Sequence, residues 1–331
     1  MKERILTGIK PTGIAHIGNY FGVIKSSVQM ANNSDNECLY FIADDHALTT
    51  IYNAEEMKFN TYNIACTWLA CGLDPNKAIF FKQSDIPEVF HLNWILSCLT
   101  PKGLMNRAHA YKAMVEKNTA NNEDKDAGVN MGLYNYPILM ASDILLYGST
   151  CVPVGLDQKQ HIEIANDIAK YFNNKFGDVF VYPKELIDQE VCTILGLDGR
   201  KMSKSYNNTI QLFCSEKELQ KSVNKIVTDS RLPGESKDPD CTLSKLYKLF
   251  TTPQKHEEYK QKLIAGMGWG DAKKELFNVM NDYISPMREK YNYYMAHPEE
   301  VDAILNDGAA KARKIAQKVY NKVLKKVGFS K

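Results

Sequence analysis

The sequence lacks the features that would assign it to a membrane, secreted or metal-binding class. Its 331 residues contain no apolar run approaching the roughly 18 that a membrane span needs. The start at Met1–Arg4 leads into Ile5 without a signal-peptide core, which predicts a cytoplasmic location and no membrane partner. The eight cysteines include no Cys-x-x-Cys pair, so neither zinc-site spacing nor a disulfide framework is indicated.

Net charge is also nearly absent, because 41 Lys and Arg residues balance 39 Asp and Glu residues, for a formal charge of +2. Bulk charge therefore does not indicate a nucleic-acid partner. Residues 311–331 are an exception, with eight Lys or Arg and no Asp or Glu. Apolar residues recur there at helical spacing, which predicts a terminal helix packed on one face. Its basic face is either simply solvated or an RNA contact, and both interpretations stay open.

The first half of the chain alternates strand and helix signals. Apolar runs at 4–9, 38–42 and 78–82 are predicted strands. Asn53 followed by Glu56 predicts the capped start of an intervening helix. This alternation predicts an α/β fold with a Rossmann-like, doubly wound parallel sheet, followed by a mostly helical C-terminal domain.

We expect two domains, a catalytic domain over 1–199 and a helical one over 200–331.

After the third predicted strand, the polar stretch 116–132 carries few apolar residues to bury and is expected to be an exposed connection. Pro137 is expected in the first turn of the next helix. Residues 157–177 predict an amphipathic helix that ends at Gly177.

The segment TGIKPTGIAHIGNY (7–20) places a helix start directly after the first strand. A helix start offers free backbone N–H groups and a positive dipole end to an anion. Gly13 and Gly18 permit a ligand to approach the backbone, and His16 can hydrogen-bond a phosphoryl oxygen. The corner favours a nucleotide site, although glycine-rich corners also occur without one.

A second segment, GRKMSKSYNN (199–208), sets Lys201 and Lys204 in a polar loop that begins with glycine. Two ammonium groups on such a loop suit a leaving group of high negative charge, such as pyrophosphate. A solvated basic loop is the alternative for a Lys-x-x-Lys pair taken alone.

Together, HIGN (16–19) and KMSKS (201–205) resemble the paired motifs of the class I aminoacyl-tRNA synthetases. The second matches letter for letter, whereas the first ends in Asn19 where the family pattern has His. This Asn, with YPILMASDILLY (136–147) and VPVGLDQKQHIE (152–163), resembles the bacterial tryptophanyl branch of the family.

The resemblance implies a ligase that activates L-tryptophan with ATP and Mg²⁺ to tryptophanyl-adenylate and pyrophosphate, then transfers it to tRNA(Trp). It also implies a homodimer. The catalytic residues would be His16, Asn19, Lys201 and Lys204. The ATP-binding residues would be Lys10, Pro11, Thr12, Gly18, Asn19, Gly155, Asp157, Cys192, Lys201, Met202, Ser203, Lys204 and Ser205.

Asp143 lies inside an apolar stretch, where an unpaired carboxylate is costly to bury, so it needs a hydrogen-bond donor. The donor is either an Arg, a Lys or a helix N-terminus of the protein, or the indole N–H of a substrate. The resemblance implies the indole. It further implies that Met140 packs on the ring, that Tyr136 and Gln158 hold the substrate ammonium group, and that His46 lies near this tryptophan-binding pocket.

Three alternatives stay open. A tyrosine-specific synthetase shares both motifs, but Asp143 in an apolar helix argues against it. A small-molecule adenylyltransferase shares the corner at His16 but not the loop of Lys201 and Lys204. A non-catalytic RNA-binding relative would be free to lose His16, Lys201 and Lys204, so their presence argues against this alternative. Lys10 stands where many relatives carry Gln, which predicts altered contacts to the triphosphate or the substrate carboxylate.

Overall fold

A computed structural model describes residues 2–32, 36–155, 159–186 and 193–330. Within these residues, five strands form one parallel sheet, which confirms the predicted α/β fold. The predicted strands at 4–9 and 78–82 have the observed bounds, and the strand predicted at 38–42 begins one residue earlier. The strands are β1 (Arg4–Ile9), β2 (Glu37–Ile42), β3 (Ala78–Lys82), β4 (Cys151–Pro153) and β5 (Lys184–Leu186).

In the sheet order β3-β2-β1-β4-β5, the chain continues from β1 to β2 and β3 on one side of β1, and then to β4 and β5 on its other side. The strand order therefore reverses at β1. β1 pairs with β2 from Arg4–Glu37 to Ile9–Ile42, and with β4 through Ile5. Open parallel sheets bind ligands at the carboxyl ends of the strands, where the order reverses. That point is the end of β1, directly before the glycine corner.

Helices make up most of the remaining described chain, and none of the described helices is long and apolar enough to span a bilayer. The first, α1 (Ile17–Asn19), continues through a π-helical turn at Tyr20–Ile24 into α2 (Lys25–Ala31). The sheet half further contains α3 (Asp44–Ala47), α4 (Ala54–Ala70), α5 (Glu88–Ser97), α6 (Lys102–Met105), α7 (His109–Ala120), α8 (Met131–Leu146) and α9 (Lys159–Phe176). Later helices are α10 (Glu216–Asn224), α11 (Thr242–Leu249), α12 (Pro253–Ile264), α13 (Trp269–Ala296) and α14 (Pro298–Val327).

Both faces of the sheet are buried, because successive strand residues point to opposite sides. Ile5 and Tyr40 belong to one apolar cluster, whereas Leu6 and Leu39 belong to another. All four side chains are at most 2% exposed. The two clusters are the layers that a doubly wound sheet requires, and they hold the strand ends in fixed positions.

One local prediction is confirmed in part and another is wrong. Most residues of the stretch 116–132 are exposed, as predicted, but it is more than a connection, because α7 extends into it and Asn118 is buried. The Asn118 amide donates to the carbonyl oxygens of Lys125 and Ala127, so the segment turns around a polar centre that hydropathy does not register. Pro137 lies inside α8 rather than in its first turn, because Asn130 caps that helix earlier by accepting the Leu133 N–H.

The terminal helix α14 returns to the sheet, although it lies in the half predicted as a separate domain. It packs on one face, as predicted, through buried residues that include Val301, Leu305 and Ala312. Gly308 meets the edge strand β3 so closely that a Cβ there would sit 1.7 Å from the Phe80 carbonyl oxygen. The helix thereby covers a sheet edge that would otherwise be open to other strands.

We expect Gly308→Ala to destabilise the protein by about 2 kcal/mol or more, because the methyl group collides with backbone that cannot rotate away. Urea unfolding followed by circular dichroism measures this. Gly270→Ala, in α13 with nothing within 4 Å of the added Cβ, is the matched control and should be neutral or stabilising. Equal stability of the Gly308 variant and the wild type would contradict the close packing of α14 on β3.

Candidate active site

The two motifs meet through backbone pairing between the glycine corner and the chain that follows the lysine loop. The Ile17 N–H donates to the Ile210 carbonyl at 2.9 Å, and the Leu212 N–H donates to the Ala15 carbonyl at 3.0 Å. The Lys204 Nζ then donates to the Thr12 carbonyl at 2.7 Å. Segments nearly two hundred residues apart in sequence therefore form one wall.

His16 stands at the start of α1 and is 8% exposed. Its Nδ1 has no hydrogen-bond partner among the described residues. Burial, with the positive charge of Lys204, lowers the pKa of His16 to about 4, so the ring is neutral at pH 7. Gly18 is required beside it, because a Cβ there would come within 2.9 Å of the imidazole. A neutral imidazole donates a hydrogen bond to a phosphoryl oxygen without carrying charge.

Asn19 has a structural part in the same corner. Its Oδ1 accepts the His16 backbone N–H at 3.0 Å, which closes the first turn of α1. The side chain also lines the cleft beside the corner. The HIGN segment thus positions its own histidine.

The lysine loop is anchored at its middle as well as by the Lys204 contact. Met202 is 5% exposed and packs in the core, and the Ser203 N–H donates to Asn208 Oδ1 at 2.8 Å. Lys201 remains exposed, whereas partial burial lowers the pKa of Lys204. The loop therefore holds both ammonium groups beside the corner without an acidic partner among the described residues.

Between corner and loop lies a polar cleft of about 610 Å³. None of its described lining residues is acidic, so the cleft suits an anion. Its lining includes Thr12, His16, Gly18, Asn19, Gly155, Lys201, Met202, Ser203 and Lys204.

A second, mainly apolar pocket of about 390 Å³ opens on the other side of β1. Asp143 is 2% exposed at its base. The Gln83 amide lies 2.9 Å from both carboxylate oxygens, and His46 Nε2 lies 2.9 Å from Oδ2. Burial raises the pKa of Asp143, while His46 and Gln83 oppose that shift. Among the described residues Oδ1 accepts from Gln83 alone, so it can accept a further hydrogen bond.

The predicted pocket residues Met140, Tyr136 and His46 line this cavity with Asp143. The Tyr136 hydroxyl lies 3.2 Å from His161 Nε2. Lys10 also lines it, with its Nζ donating to Thr49 Oγ1 at 2.7 Å, and burial lowers its pKa. The structure thus places Lys10 beside the apolar pocket rather than in the lining of the polar cleft.

Other predicted residues fall outside these two cavities or outside the described chain. Pro11 is buried in the corner, and Ser205 bonds the Ser203 hydroxyl at 2.8 Å, but neither lines the cleft. Asp157, Gln158 and Cys192 lie outside the described residues.

Sequence reasoning missed Gln83, which donates to both oxygens of the Asp143 carboxylate. Its only signal in the sequence is its place directly after β3, at the carboxyl edge of the sheet. His46, at the corresponding edge after β2, was predicted near the pocket but not as the partner of Asp143.

A comparison with protein families matches residues 2–285 to the class I tRNA synthetases for W and Y. The tryptophan–tRNA ligase of Neisseria meningitidis is 51% identical over 99% of this chain and 98% of its own length. That of Pseudomonas putida is 49% identical over 99% of this chain and 74% of its own length. The chain belongs to the class I aminoacyl-tRNA synthetases, in the tryptophanyl branch.

Among solved structures, the tryptophanyl-tRNA synthetase of Campylobacter jejuni, complexed with ADP and tryptophan, superposes on this chain with a TM-score of 0.90. It is 44% identical over 98% of this chain and 99% of its own length. The same enzyme from Mycoplasma pneumoniae has a TM-score of 0.79 at 28% identity, over 100% of this chain and 99% of its own. The sheet and the helical C-terminal region are therefore those of a tryptophanyl-type synthetase.

We expect His16 to titrate with a midpoint near 4 rather than at the ordinary 6.5, because its imidazolium is both desolvated and repelled by Lys204. Lys204→Met removes the positive charge and opens the corner, so the midpoint should rise. NMR of protein labelled at histidine Cε1 measures this, and a His16→Gln spectrum assigns the signal. A wild-type midpoint at 6.5, or one unchanged by Lys204→Met, would contradict the described environment.

Proposed function

We propose that this protein is a tryptophan–tRNA ligase in which tryptophan occupies the apolar pocket and ATP occupies the polar cleft. The observation that carries the proposal is the buried Asp143 carboxylate, which faces an apolar pocket directly beside a cationic cleft. A pocket for an uncharged aromatic side chain with one N–H needs such an acceptor. A cleft for a triphosphate needs the donors and charges around His16.

In the pocket, Asp143 Oδ1 accepts the indole N–H, and Met140 packs on the ring. The substrate ammonium group lies toward Tyr136, with Gln158 as its second partner by resemblance. Phenylalanine, which lacks the N–H, leaves the buried acceptor unmatched and is penalised by that desolvation. Lys10 stands beside this pocket, where its ammonium group can meet the tryptophan carboxylate.

In the cleft, the phosphates meet the start of α1, where His16 donates from a neutral ring. Asp157 and Gly155 would contact the ribose and Cys192 the adenine, as the resemblance implies. Mg²⁺ would accompany ATP. Because the described lining of the cleft has no acidic side chain, its ligands would be phosphate oxygens and water.

The reaction needs no base for its first step, because the tryptophan carboxylate is ionised at neutral pH. A carboxylate oxygen attacks the α-phosphorus, the bond to the bridging oxygen breaks, and pyrophosphate leaves with the electron pair. Lys201 and Lys204 stabilise the charge that develops on pyrophosphate, while His16 and Asn19 hold the reacting phosphoryl group. By the family resemblance, the 2′-hydroxyl of the 3′-terminal ribose of tRNA then attacks the activated carbonyl. The bond from this carbonyl to the phosphate oxygen breaks, AMP leaves with the electron pair, and the hydroxyl proton is released to solvent.

The assembly and location of the protein are further parts of the proposal. We expect a homodimer in the cytoplasm. Leu48, Tyr52 and Trp94 support the dimer, because these large apolar side chains are 54%, 78% and 67% exposed on or beside helices α3 to α5. The 200–331 region is proposed to contact tRNA(Trp).

Amino-acid-dependent ATP–pyrophosphate exchange tests the proposed function directly. We expect exchange with tryptophan and none above background with tyrosine, phenylalanine or no amino acid. Exchange with tyrosine alone would preserve the adenylation chemistry and overturn the role of Asp143. The absence of exchange with every amino acid would overturn the proposal and favour a non-catalytic RNA-binding protein.

A further inference from the structure

The outward face of α14 carries a row of lysines that has no part in the activation chemistry. At about 100° per residue, the row occupies an arc of roughly 80° and extends about 20 Å along the helix. We call it the lysine stripe. Its members are exposed and are Lys311, Lys314, Lys318, Lys322 and Lys325.

The charge of the stripe is largely uncompensated. Lys311 pairs with Asp307 at 2.6 Å, but the other four lysines have no ion-pair partner among the described residues. No Asp or Glu occurs in 308–331. Like charges at i and i+4, as at Lys314 and Lys318, destabilise a helix. The repulsion is smaller at Lys325, in the last turn of α14, because the helix dipole favours cations there. A protein with a net charge of only +2 thus concentrates cations on one exposed helix face, and this face is complementary in charge to an external anion.

The helix beneath the stripe is held rigidly. Arg313 Nε bonds Glu88 Oε1 at 2.7 Å, and the Glu88 side chain is only 7% exposed. The Tyr320 hydroxyl bonds His91 on the same helix, α5. Ala316 packs in the core on the opposite face. The lysines are therefore presented in a fixed line rather than on a loose tail.

We propose that the lysine stripe is a docking surface for the phosphate backbone of tRNA. This inference rests on the proposed function, which supplies the RNA. Over about 20 Å a nucleic-acid duplex carries on the order of ten phosphate charges, so a straight row of cations matches one face of a helical RNA arm. Lysine is suited to such contacts because it binds phosphate as a point charge and reads no sequence.

The position of the stripe sets which part of the RNA it meets. Val319, on the packed side of α14, lies beside Gly148, which precedes β4. The stripe thus lies toward the amino ends of the strands, and the two cavities lie at the carboxyl ends. It therefore contacts RNA backbone remote from the 3′ end that enters the active site of the same chain.

An anionic membrane is the other polyanion that such a stripe would attract, but the structure favours RNA. A helix that lies on a membrane buries its apolar face in the lipid. The apolar face of α14 already packs against the sheet, with Ala312, Ala316 and Val323 fully buried. Only the charged face is available, which suits a phosphate backbone.

The test is the triple variant Lys314→Gln/Lys318→Gln/Lys322→Gln, assayed for aminoacylation and for tRNA binding by filter retention. We expect KM for tRNA to rise about tenfold or more, and the slope of log binding constant against log salt to fall by about two, as lost phosphate contacts require. Exchange of ATP and pyrophosphate with tryptophan should be unchanged. This exchange needs no tRNA, so its loss in the wild type would mark failure of the proposed function instead.

The matched control is Lys77→Gln/Lys117→Gln/Lys170→Gln, which removes three exposed lysines at scattered sites outside the 200–331 region. It should leave KM for tRNA and the salt slope close to wild type. An equal loss in both variants would show an effect of net charge and overturn the stripe. Normal tRNA binding by the stripe variant would also overturn the proposal. A variant that binds tRNA normally but loses binding to phosphatidylglycerol vesicles would overturn it in favour of a membrane.

Discussion

The apolar pocket is arranged around one buried acidic side chain, the Asp143 carboxylate. A carboxylate at 2% exposure is stable only if donors surround it, and the fold supplies Gln83 and His46 from two neighbouring strand ends. The doubly wound sheet makes this possible, because the carboxyl ends of parallel strands meet at one edge. The fold thus offsets the electrostatic cost of burying Asp143 while keeping this side chain in the lining of the pocket.

The positive charges of the cleft lie on the other side of β1 and are held there by hydrogen bonds to the glycine corner. The chain after the KMSKS loop pairs with the glycine corner, and Lys204 reaches the Thr12 carbonyl. Burial, together with the positive charge of Lys204, also keeps His16 neutral, because both disfavour its imidazolium. An acceptor pocket and a cationic cleft therefore flank one strand end, so the proposed function brings a tryptophan carboxylate beside an α-phosphate.

Much of the fold could be predicted from the sequence because its signals are local. Local sequence patterns alone predict the strands at 4–9 and 78–82 and the helix cap at Asn53. The KMSKS motif is recognised directly from its residue types. Gln83 could not be predicted as the partner of Asp143, because that contact exists only once β3 and α8 are packed. The return of α14 to β3 likewise depends on one close approach, at Gly308, that no periodicity reveals.

The central claim, that Asp143 reads the indole N–H, is tested most directly by isothermal titration with an isosteric ligand. The 3-benzothienyl analogue of tryptophan keeps the shape of the ring system and replaces N–H by sulfur. The account predicts that it binds at least about a hundredfold more weakly than tryptophan, because the buried acceptor loses its donor. Binding of the analogue within about threefold of tryptophan, a difference of only ~0.7 kcal/mol, would contradict it.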